Sequence, residues 1–296
     1  MPYPCNSVFN PGAIKYGDDV LLLLRVEALD GSSHLTVARS KNGITDWQIE
    51  SKPFMSREDE KNPHEEFGVE DPRITYLADL DKYVIAYTAY SPFGAGVGLA
   101  TTSDFKSVYR LGLVLAPINK DAALFPRKID DKYWMLHRPA AGDIEHIWLT
   151  ESTDLLHWGR PWCVIMERGG PWWDGYKVGA NTIPIETSEG WLILYHGVKQ
   201  FSSGPVYRMG LALLDLDDPR KLKARLPYWV LGPQESYETN GEVPNVVFPC
   251  GHVMMDDELW IYYGASDTSI CLAKAKVDEL LAALDECMKN GNCLYH

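Results

Sequence analysis

The segment DKYWMLH at residues 131–137 decides the fold, because its pattern recurs four more times along the chain. The other copies are DDVLLLLR at 18–25, DKYVIAY at 81–87, EGWLILYH at 189–196 and DELWIYY at 257–263. Each copy starts at an acidic turn and continues as a short apolar or aromatic run, which is typical of a β-strand. A second strand is predicted after each copy, at 35–39, 98–102, 147–151, 209–214 and 269–275.

Five such repeats predict an all-β fold, a five-bladed β-propeller in which residues 1–296 form a single domain. The tail differs, because VDELLAAL at 277–284 combines strong helix formers with helical spacing of its apolar residues. A short C-terminal helix is therefore predicted at about 277–290. Its apolar stripe, Leu280, Leu281 and Leu284, is expected to pack on the propeller or on a second subunit of a homo-oligomer.

The charge balance bears on the partners of the protein. The 296 residues include 28 Lys and Arg against 41 Asp and Glu, a formal net charge of -13. This charge repels phosphate backbones and anionic lipid surfaces, so neither a nucleic acid nor a membrane is an expected partner. No apolar run approaches the length of a membrane span, and the first six residues lack a signal-peptide pattern, so a cytoplasmic location is expected.

The cysteines and histidines give no sign of a metal site. The six cysteines are scattered without a C-x-x-C pair, and the eight histidines lack ligand-like spacing. Free thiols and the absence of a bound metal are therefore expected.

The string GVEDPRIT at 68–75 groups two carboxylates and a guanidinium around a proline. Pro72 biases Asp71 towards an extended conformation, which would hold the Asp71 side chain in one direction. A functional site and an ordinary Asp-Pro turn with a surface ion pair to Arg73 both fit this pattern.

Cationic side chains stand at the ends or edges of apolar strands: Arg25, Arg138, Lys177 and His196. A charge in such a place is costly unless it is paired or faces a channel. In a propeller the inner strands converge on one central channel, so these positions would form a single basic cluster. Such a cluster would bind a small anion, with phosphate as the natural candidate.

Nine ordered motifs spanning about residues 6–268 carry a family resemblance. They are NSVFNPGA (6–13), LRVE (24–27), GVEDPRIT (68–75), KDAALFP (120–126), LHRP (136–139), KVG (177–179), YHGV (195–198), YRMG (207–210) and YGASDT (263–268). In these motifs the chain resembles the inverting β-mannoside phosphorylases and related enzymes of glycoside hydrolase family 130. The family fold is a five-bladed propeller, the same fold that the repeats predict.

The resemblance implies phosphorolysis. Phosphate would attack the anomeric carbon of a non-reducing β-mannosyl residue and release α-mannose 1-phosphate with a shortened acceptor. β-1,2-Mannobiose or short β-mannooligosaccharides are the substrates that the compact length favours. Inorganic phosphate would be the co-substrate, and no metal or organic cofactor is implied.

Residue roles carry over at the positions that match the motifs. Asp71 matches the proton donor, which in this family reaches the glycosidic oxygen through the mannose 3-hydroxyl. Phosphate-binding positions are matched by Arg138, Lys177, His196 and Tyr207, and by Arg25 near both sugar and phosphate. Asn6, Ser7 and Asp267 match residues that hold mannose hydroxyls, with Glu70 as a positioning neighbour of the acid. His146 is a candidate for the acceptor side.

Two alternatives remain open at this stage. A hydrolase of the same family would use water and a glutamate base, for which Glu235, Glu238 and Glu242 are candidates. A non-catalytic propeller that binds carbohydrate or docks a protein is the second alternative, since a propeller fold alone does not specify function.

Overall fold

The computed structural model describes residues 1–57, 62–291 and 293 and is mostly β-sheet. Two antiparallel units, joined into an eight-stranded sheet, open the chain: β1 (Ser7–Tyr16), β2 (Asp19–Glu27), β3 (Ser33–Ser40) and β4 (Gln48–Ile49), then β5 (Gly68–Leu77), β6 (Lys82–Ser91), β7 (Gly94–Thr102) and β8 (Tyr109–Leu115). Between them, residues Pro63–Glu65 form a 3-10 turn. The two units are linked by one parallel pair, Ser33 with Gly68.

Three further antiparallel sheets follow. The third unit contains β9 (Asn119–Leu124), β10 (Tyr133–Ala141), β11 (Ile144–Glu145), β12 (Ile147–Ser152) and β13 (Gly159–Ile165). The fourth contains β14 (Lys177–Ala180), β15 (Ile185–Thr187), β16 (Gly190–Phe201), β17 (Gly204–Leu214) and β18 (Leu222–Arg225). The fifth contains β19 (Val247–Met255), β20 (Glu258–Ala265) and β21 (Ser269–Lys276), and the helices are α1 (Ser236–Thr239) and α2 (Val277–Lys289). The predicted all-β class and every predicted strand pair are confirmed.

The hydrophobic core lies between the units. In β2, Leu21 and Leu23 pack against the second unit, whereas Leu22 and Leu24 pack against the fifth. Successive strand residues point to opposite faces, so the continuous run at 20–24 reflects burial on both faces. Shared apolar clusters join the first unit to the second, the second to the third, the third to the fourth, the fourth to the fifth, and the fifth to the first.

The first strands of the units approach one another at the centre of this arrangement. Strand β1 contacts β5 and β19, while β9 contacts β5 and β14. Residues on these strands, and at the ends of the strands that follow them, therefore come together although they are far apart in sequence.

Helix α2 (Val277–Lys289) agrees with the predicted helix at about 277–290. Leu284 and Cys287 are buried, and Leu280 and Leu281 pack against the apolar cluster shared by the fourth and fifth units. The helix contacts β17, β18 and β21. Of the two packing partners expected for its apolar stripe, the structure shows the body of the same chain.

Candidate active site

A polar cavity of about 380 Å³ brings together most of the residues singled out in the sequence. Seven of them line it: Arg25, Glu70, Asp71, Arg138, Lys177, Tyr207 and Asp267. Sequence reasoning missed Asn10, Tyr90, Lys120, Asp121 and Phe248 as wall residues, although the first, third and fourth lie within the quoted motifs. A larger cavity of about 510 Å³ between the first and fifth units is lined almost entirely by apolar side chains, so the chemistry is concentrated in the smaller one.

A bulge in β5 turns two consecutive carboxylates to the same side. The register of β5 against β6 shifts between Glu70 and Arg73. Asp71 has a φ of 50°, in the left-handed region, and not the extended conformation that Pro72 predicts. In a regular strand, neighbouring side chains point to opposite faces. The bulge removes that alternation, so Glu70 and Asp71 both face the cavity.

Arg25 bridges this carboxylate pair. Its Nη1 donates to Asp71 Oδ1 at 2.8 Å, and its Nη2 donates to Glu70 Oε1 at 2.9 Å. The guanidinium carbon lies 4.4 Å from the centre of the Phe9 ring, which supports it from one face. Asn10 Nδ2 donates to the same Asp71 oxygen at 2.9 Å from a second bulge, in β1 between Phe9 and Gly12.

The surroundings shift the pKa values of the two carboxyl groups in opposite directions. Burial raises the pKa of Asp71, but the charges of Arg25 and Arg73 with the hydrogen bonds from Arg25 and Asn10 outweigh it, so this pKa lies below its usual value. For Glu70, burial and the neighbouring Asp71 charge prevail over Arg25, and its pKa is raised. Asp71 is therefore the stronger acid of the pair.

Arg138 and Lys177 form a cation pair on another wall. Arg138 follows a register shift of β10 against β9, and Lys177 begins β14. Arg138 Nη1 lies 2.5 Å from Glu145 Oε2, and Lys177 Nζ lies 3.8 Å from Glu145 Oε1. Lys177 Nζ is also 5.5 Å from the centre of the Tyr207 ring. Burial, followed by the charge of Arg138, lowers the pKa of Lys177.

Asp121 is a buried carboxylate close to Arg138, Arg73 and His196. Its carboxylate is fully buried and lies 2.7 Å from Arg138 Nε, 3.5 Å from Arg73 Nη2 and 3.6 Å from His196 Nε2. Burial raises its pKa, yet Arg138, His196 and Arg73 together hold the pKa of Asp121 well below its usual range. Asp121 is thus a fixed negative charge that positions Arg138.

Three of the predicted site residues do not lie on the cavity wall. His196 is completely buried beneath Tyr207 and Phe248, with Nδ1 2.9 Å from Asn181 Oδ1. Burial lowers the pKa of His196 to about 3, so the ring is neutral. Asn6 is exposed just before β1 and donates to Glu27 Oε1 at 2.8 Å, and neighbouring Ser7 is buried. The ligand contacts predicted for His196, Asn6 and Ser7 stay predictions.

Asp267 lies on the cavity wall in the turn after β20, with a φ of 52°. Burial and the charges of Asp71 and Glu70 raise the pKa of Asp267 to about 6, against the opposite effect of Arg25. This carboxyl therefore changes charge close to neutral pH.

The residues considered for other roles lie elsewhere. Glu238 caps the short helix α1, accepting from the N–H groups of Gln234 and Glu235 and from the Tyr263 hydroxyl. Glu235, Glu238 and Glu242 are not among the described residues that line the cavity. His146 is paired with Glu167 away from the wall.

The described residues lack two features that would point to a metal or a membrane. Within 1–57, 62–291 and 293, no group of three or more His, Cys, Asp or Glu side chains is arranged to hold a metal ion. No helix of that part of the chain is long and apolar enough to span a bilayer.

Comparison with known proteins identifies the family. β-1,2-Mannobiose phosphorylase of Listeria innocua is 38% identical over 276 residues, covering 90% of this chain and 75% of that protein. β-1,4-Mannooligosaccharide phosphorylase of Ruminococcus albus is 35% identical, covering 93% and 84%. The solved Listeria enzyme in complex with β-1,2-mannobiose superimposes with a TM-score of 0.87 at 34% identity, covering 95% and 93% of the two chains.

A further solved structure comes from work on hydrolases within the same family. It is described in connection with GH130 glycoside hydrolases that target β-1,2 mannosidic linkages in Candida mannan. It superimposes with a TM-score of 0.83 at 26% identity, covering 92% of this chain and 85% of that one. A family model described as β-1,4-mannooligosaccharide phosphorylase matches residues 2–286. The chain therefore belongs to glycoside hydrolase family 130.

Proposed function

We propose that this protein is an inverting phosphorylase of β-mannosides, which transfers a non-reducing mannosyl residue to inorganic phosphate. The observation that carries the proposal is the meeting of a carboxylate pair, Glu70 and Asp71, and a cation pair, Arg138 and Lys177, in one cavity. A volume of about 380 Å³ is within the usual range for small-molecule sites. Four relatives named as phosphorylases of β-linked mannosides or oligomannans are 35% to 39% identical to this chain.

In the proposed reaction, a phosphate oxygen held by Arg138, Lys177 and Tyr207 attacks the anomeric carbon. The bond from that carbon to the glycosidic oxygen breaks on the opposite face, which inverts the configuration and gives α-mannose 1-phosphate. The departing oxygen takes a proton from Asp71 through the mannose 3-hydroxyl. Glu70, Asp267, Asn6 and Ser7 are assigned to the sugar, Arg25 to both substrates and His196 to the phosphate side.

The lowered pKa of Asp71 is compatible with its role as the acid. A bound phosphate places negative charge in the same cavity, and a nearby like charge raises the pKa of a carboxyl group. Phosphate binding would therefore favour protonation of Asp71 when it is needed. Phosphate also arrives as an anionic nucleophile, whereas an inverting hydrolase needs a second carboxylate to activate water.

We also propose that the fold is a closed five-bladed propeller and that the protein is cytoplasmic. A closed five-bladed propeller is supported by the five antiparallel units and by the apolar cluster that joins the fifth unit to the first. A cytoplasmic location is supported by the six free cysteines, which suit a reducing compartment. We assign no metal or organic cofactor, take β-1,2-mannobiose or short β-mannooligosaccharides as substrates, and leave a homo-oligomer as an expectation.

The deciding experiment measures mannose 1-phosphate released from β-1,2- and β-1,4-mannobiose, with and without inorganic phosphate. Phosphate-dependent release is expected, and the faster disaccharide identifies the linkage. Release of free mannose at the same rate without phosphate would instead make the protein a hydrolase. No turnover of any β-mannoside would favour a binding protein.

A further inference from the structure

Glu145 is a charged neighbour of the cation pair to which no role has been given above. It lies on the two-residue strand β11, beside the turn that links β10 to β12. One carboxylate oxygen contacts Arg138 and the other faces Lys177, at 2.5 and 3.8 Å. A single carboxylate thus partly neutralises both cations assigned to phosphate.

The two carboxylates that flank Arg138 are placed differently. Asp121 is completely buried and faces three cationic or protonatable groups, which fixes it in position. The Glu145 side chain is 22% exposed, on a short edge strand, and its contacts are Arg138 and Lys177. Asp121 therefore has the surroundings of a structural anchor, whereas Glu145 can respond to what binds at the cations.

The donors of Arg138 are not fully used by these carboxylates. Its Nε and Nη1 are buried and close to Asp121 and Glu145, but neither contact has the alignment of a hydrogen bond. The contacts are thus mainly electrostatic.

We propose that Glu145 sets the phosphate affinity of this site, acting as a countercharge that weakens the hold of Arg138 and Lys177 on phosphate and on a phosphorylated product. This inference rests on the proposed function, because it takes phosphate as the ligand of the cation pair. The physical reason is that a carboxylate beside two cations lowers the positive potential that attracts an anion. Since α-mannose 1-phosphate carries the same phosphate group, a countercharge also speeds its release.

The test uses Glu145→Gln, which removes the charge but keeps the shape of the side chain and an oxygen that faces Arg138. Isothermal titration calorimetry with inorganic phosphate is expected to give a dissociation constant lower than in the unmodified protein by roughly three- to twentyfold. Inhibition by added mannose 1-phosphate is expected to strengthen in parallel, while the KM for the mannoside stays within about twofold.

Two control variants separate charge from packing. Glu145→Asp keeps the charge on a shorter side chain and is expected to bind phosphate nearly as the unmodified protein does. Glu151→Gln changes a carboxylate of the same unit that pairs with Lys132 and Arg160 outside the cavity, and it is expected to leave phosphate binding unchanged. Equal melting temperatures of the variants would show that the fold is retained.

Phosphate binding by Glu145→Gln that is unchanged or weaker would overturn the inference, because Glu145 would then only support the cations. In that case phosphate-dependent release of mannose 1-phosphate by the unmodified protein would still uphold the proposed function. If the unmodified protein neither binds phosphate nor uses it, the proposed function and the inference fail together.

Discussion

Arg25 Nη1 lies 2.8 Å from Asp71 Oδ1, although the two residues belong to different antiparallel units. The contact joins the first unit to the second through the carboxylate assigned as the proton donor. It also stabilises the ionised form of that carboxylate. The contact therefore holds Asp71 in one position and lowers its pKa.

Replacing Asp71 with Asn is expected to reduce kcat for phosphorolysis by about 10²- to 10⁴-fold, the usual contribution of a positioned general acid. Asn is similar in size and keeps an oxygen that accepts from Arg25 and Asn10, so the cavity should keep its shape. The measurement is the rate of mannose 1-phosphate release at saturating phosphate and mannoside.

Asp79→Asn is the matched control for the Asp71 variant. Asp79 accepts from the Tyr133 hydroxyl at 2.7 Å and pairs with Lys128, outside the cavity. Its replacement is expected to leave kcat unchanged. A kcat close to that of the unmodified protein in Asp71→Asn would reject Asp71 as the acid, and Glu70, whose pKa is raised, would be the next residue to test.

Replacing Lys177 with Ala is expected to act mainly on phosphate. Loss of one charge-assisted contact costs about 1.5 to 3 kcal/mol, which corresponds to a rise in the phosphate KM of roughly 10- to 100-fold. The KM for the mannoside should change much less. Initial rates at varied phosphate and fixed mannoside measure the effect, with Lys199→Ala as the control, because Lys199 Nζ donates to the Gly170 carbonyl outside the cavity. An unchanged phosphate KM in Lys177→Ala would place the phosphate elsewhere.

Much of the fold could be predicted because strands buried on both faces appear in the sequence as continuous apolar runs. Runs such as residues 20–24 and 191–195 are continuously apolar, since alternate side chains enter different inter-unit clusters. The short helix α1 was not predicted. It spans four residues, and the capping interactions of Glu235 and Glu238 stabilise it more than any periodic apolar pattern does.

Site residues could be predicted where a sequence motif contains a charged side chain in an apolar context. The left-handed backbone conformations at the bulges could not be predicted. Asp71 was expected to be extended, but a bulge places it in the left-handed region. Asn10 and Asp121 have similar φ values, 44° and 55°, also beside irregular strand pairing. Bulges depend on pairing between strands, so a local pattern such as Asp-Pro does not reveal which side chains they turn inward.

Asp267 makes the stability of the protein depend on pH. Its pKa rises from the ordinary 3.8 to about 6 on folding, so the folded state binds the proton more tightly than the unfolded state. The free energy of unfolding therefore decreases as the pH rises from about 4 to about 6, because the tighter proton binding of the folded state no longer stabilises it. Asp267→Asn removes this penalty and is expected to be more stable than the unmodified protein at pH 8, by about 1 kcal/mol after allowance for solvent screening.

Urea unfolding at pH 4.5 and pH 8 checks the Asp267 prediction, with exposed Asp217→Asn as the control. The difference between Asp267→Asn and the unmodified protein should shrink at the lower pH, while the control shows the same small effect at both. A difference that is larger at pH 4.5 than at pH 8 would contradict the sign argued here.

Gly264 tests whether Asn10 positions the acid. A Cβ at Gly264 would lie 1.9 Å from Asn10 Oδ1 and 2.9 Å from the Asn10 backbone nitrogen, so Gly264→Ala must displace the side chain that donates to Asp71. A drop in kcat/KM of roughly tenfold or more is expected, equivalent to the loss of one hydrogen bond of about 1.5 kcal/mol to a charged group. Gly159→Ala is the control, since its Cβ would meet nothing within 4 Å.

A double variant separates this local effect from general damage to the strand. Asn10→Ala removes the side-chain oxygen that a Cβ at Gly264 would strike, so Gly264→Ala should lower kcat/KM much less in that background than in the unmodified protein. Fully additive losses would mean that the alanine acts through the backbone of β20 instead of through Asn10. Among the described residues, Asn10 and Arg25 donate side-chain hydrogen bonds to Asp71, so an unchanged kcat/KM in Asn10→Ala alone would leave Arg25 as the group that positions the acid.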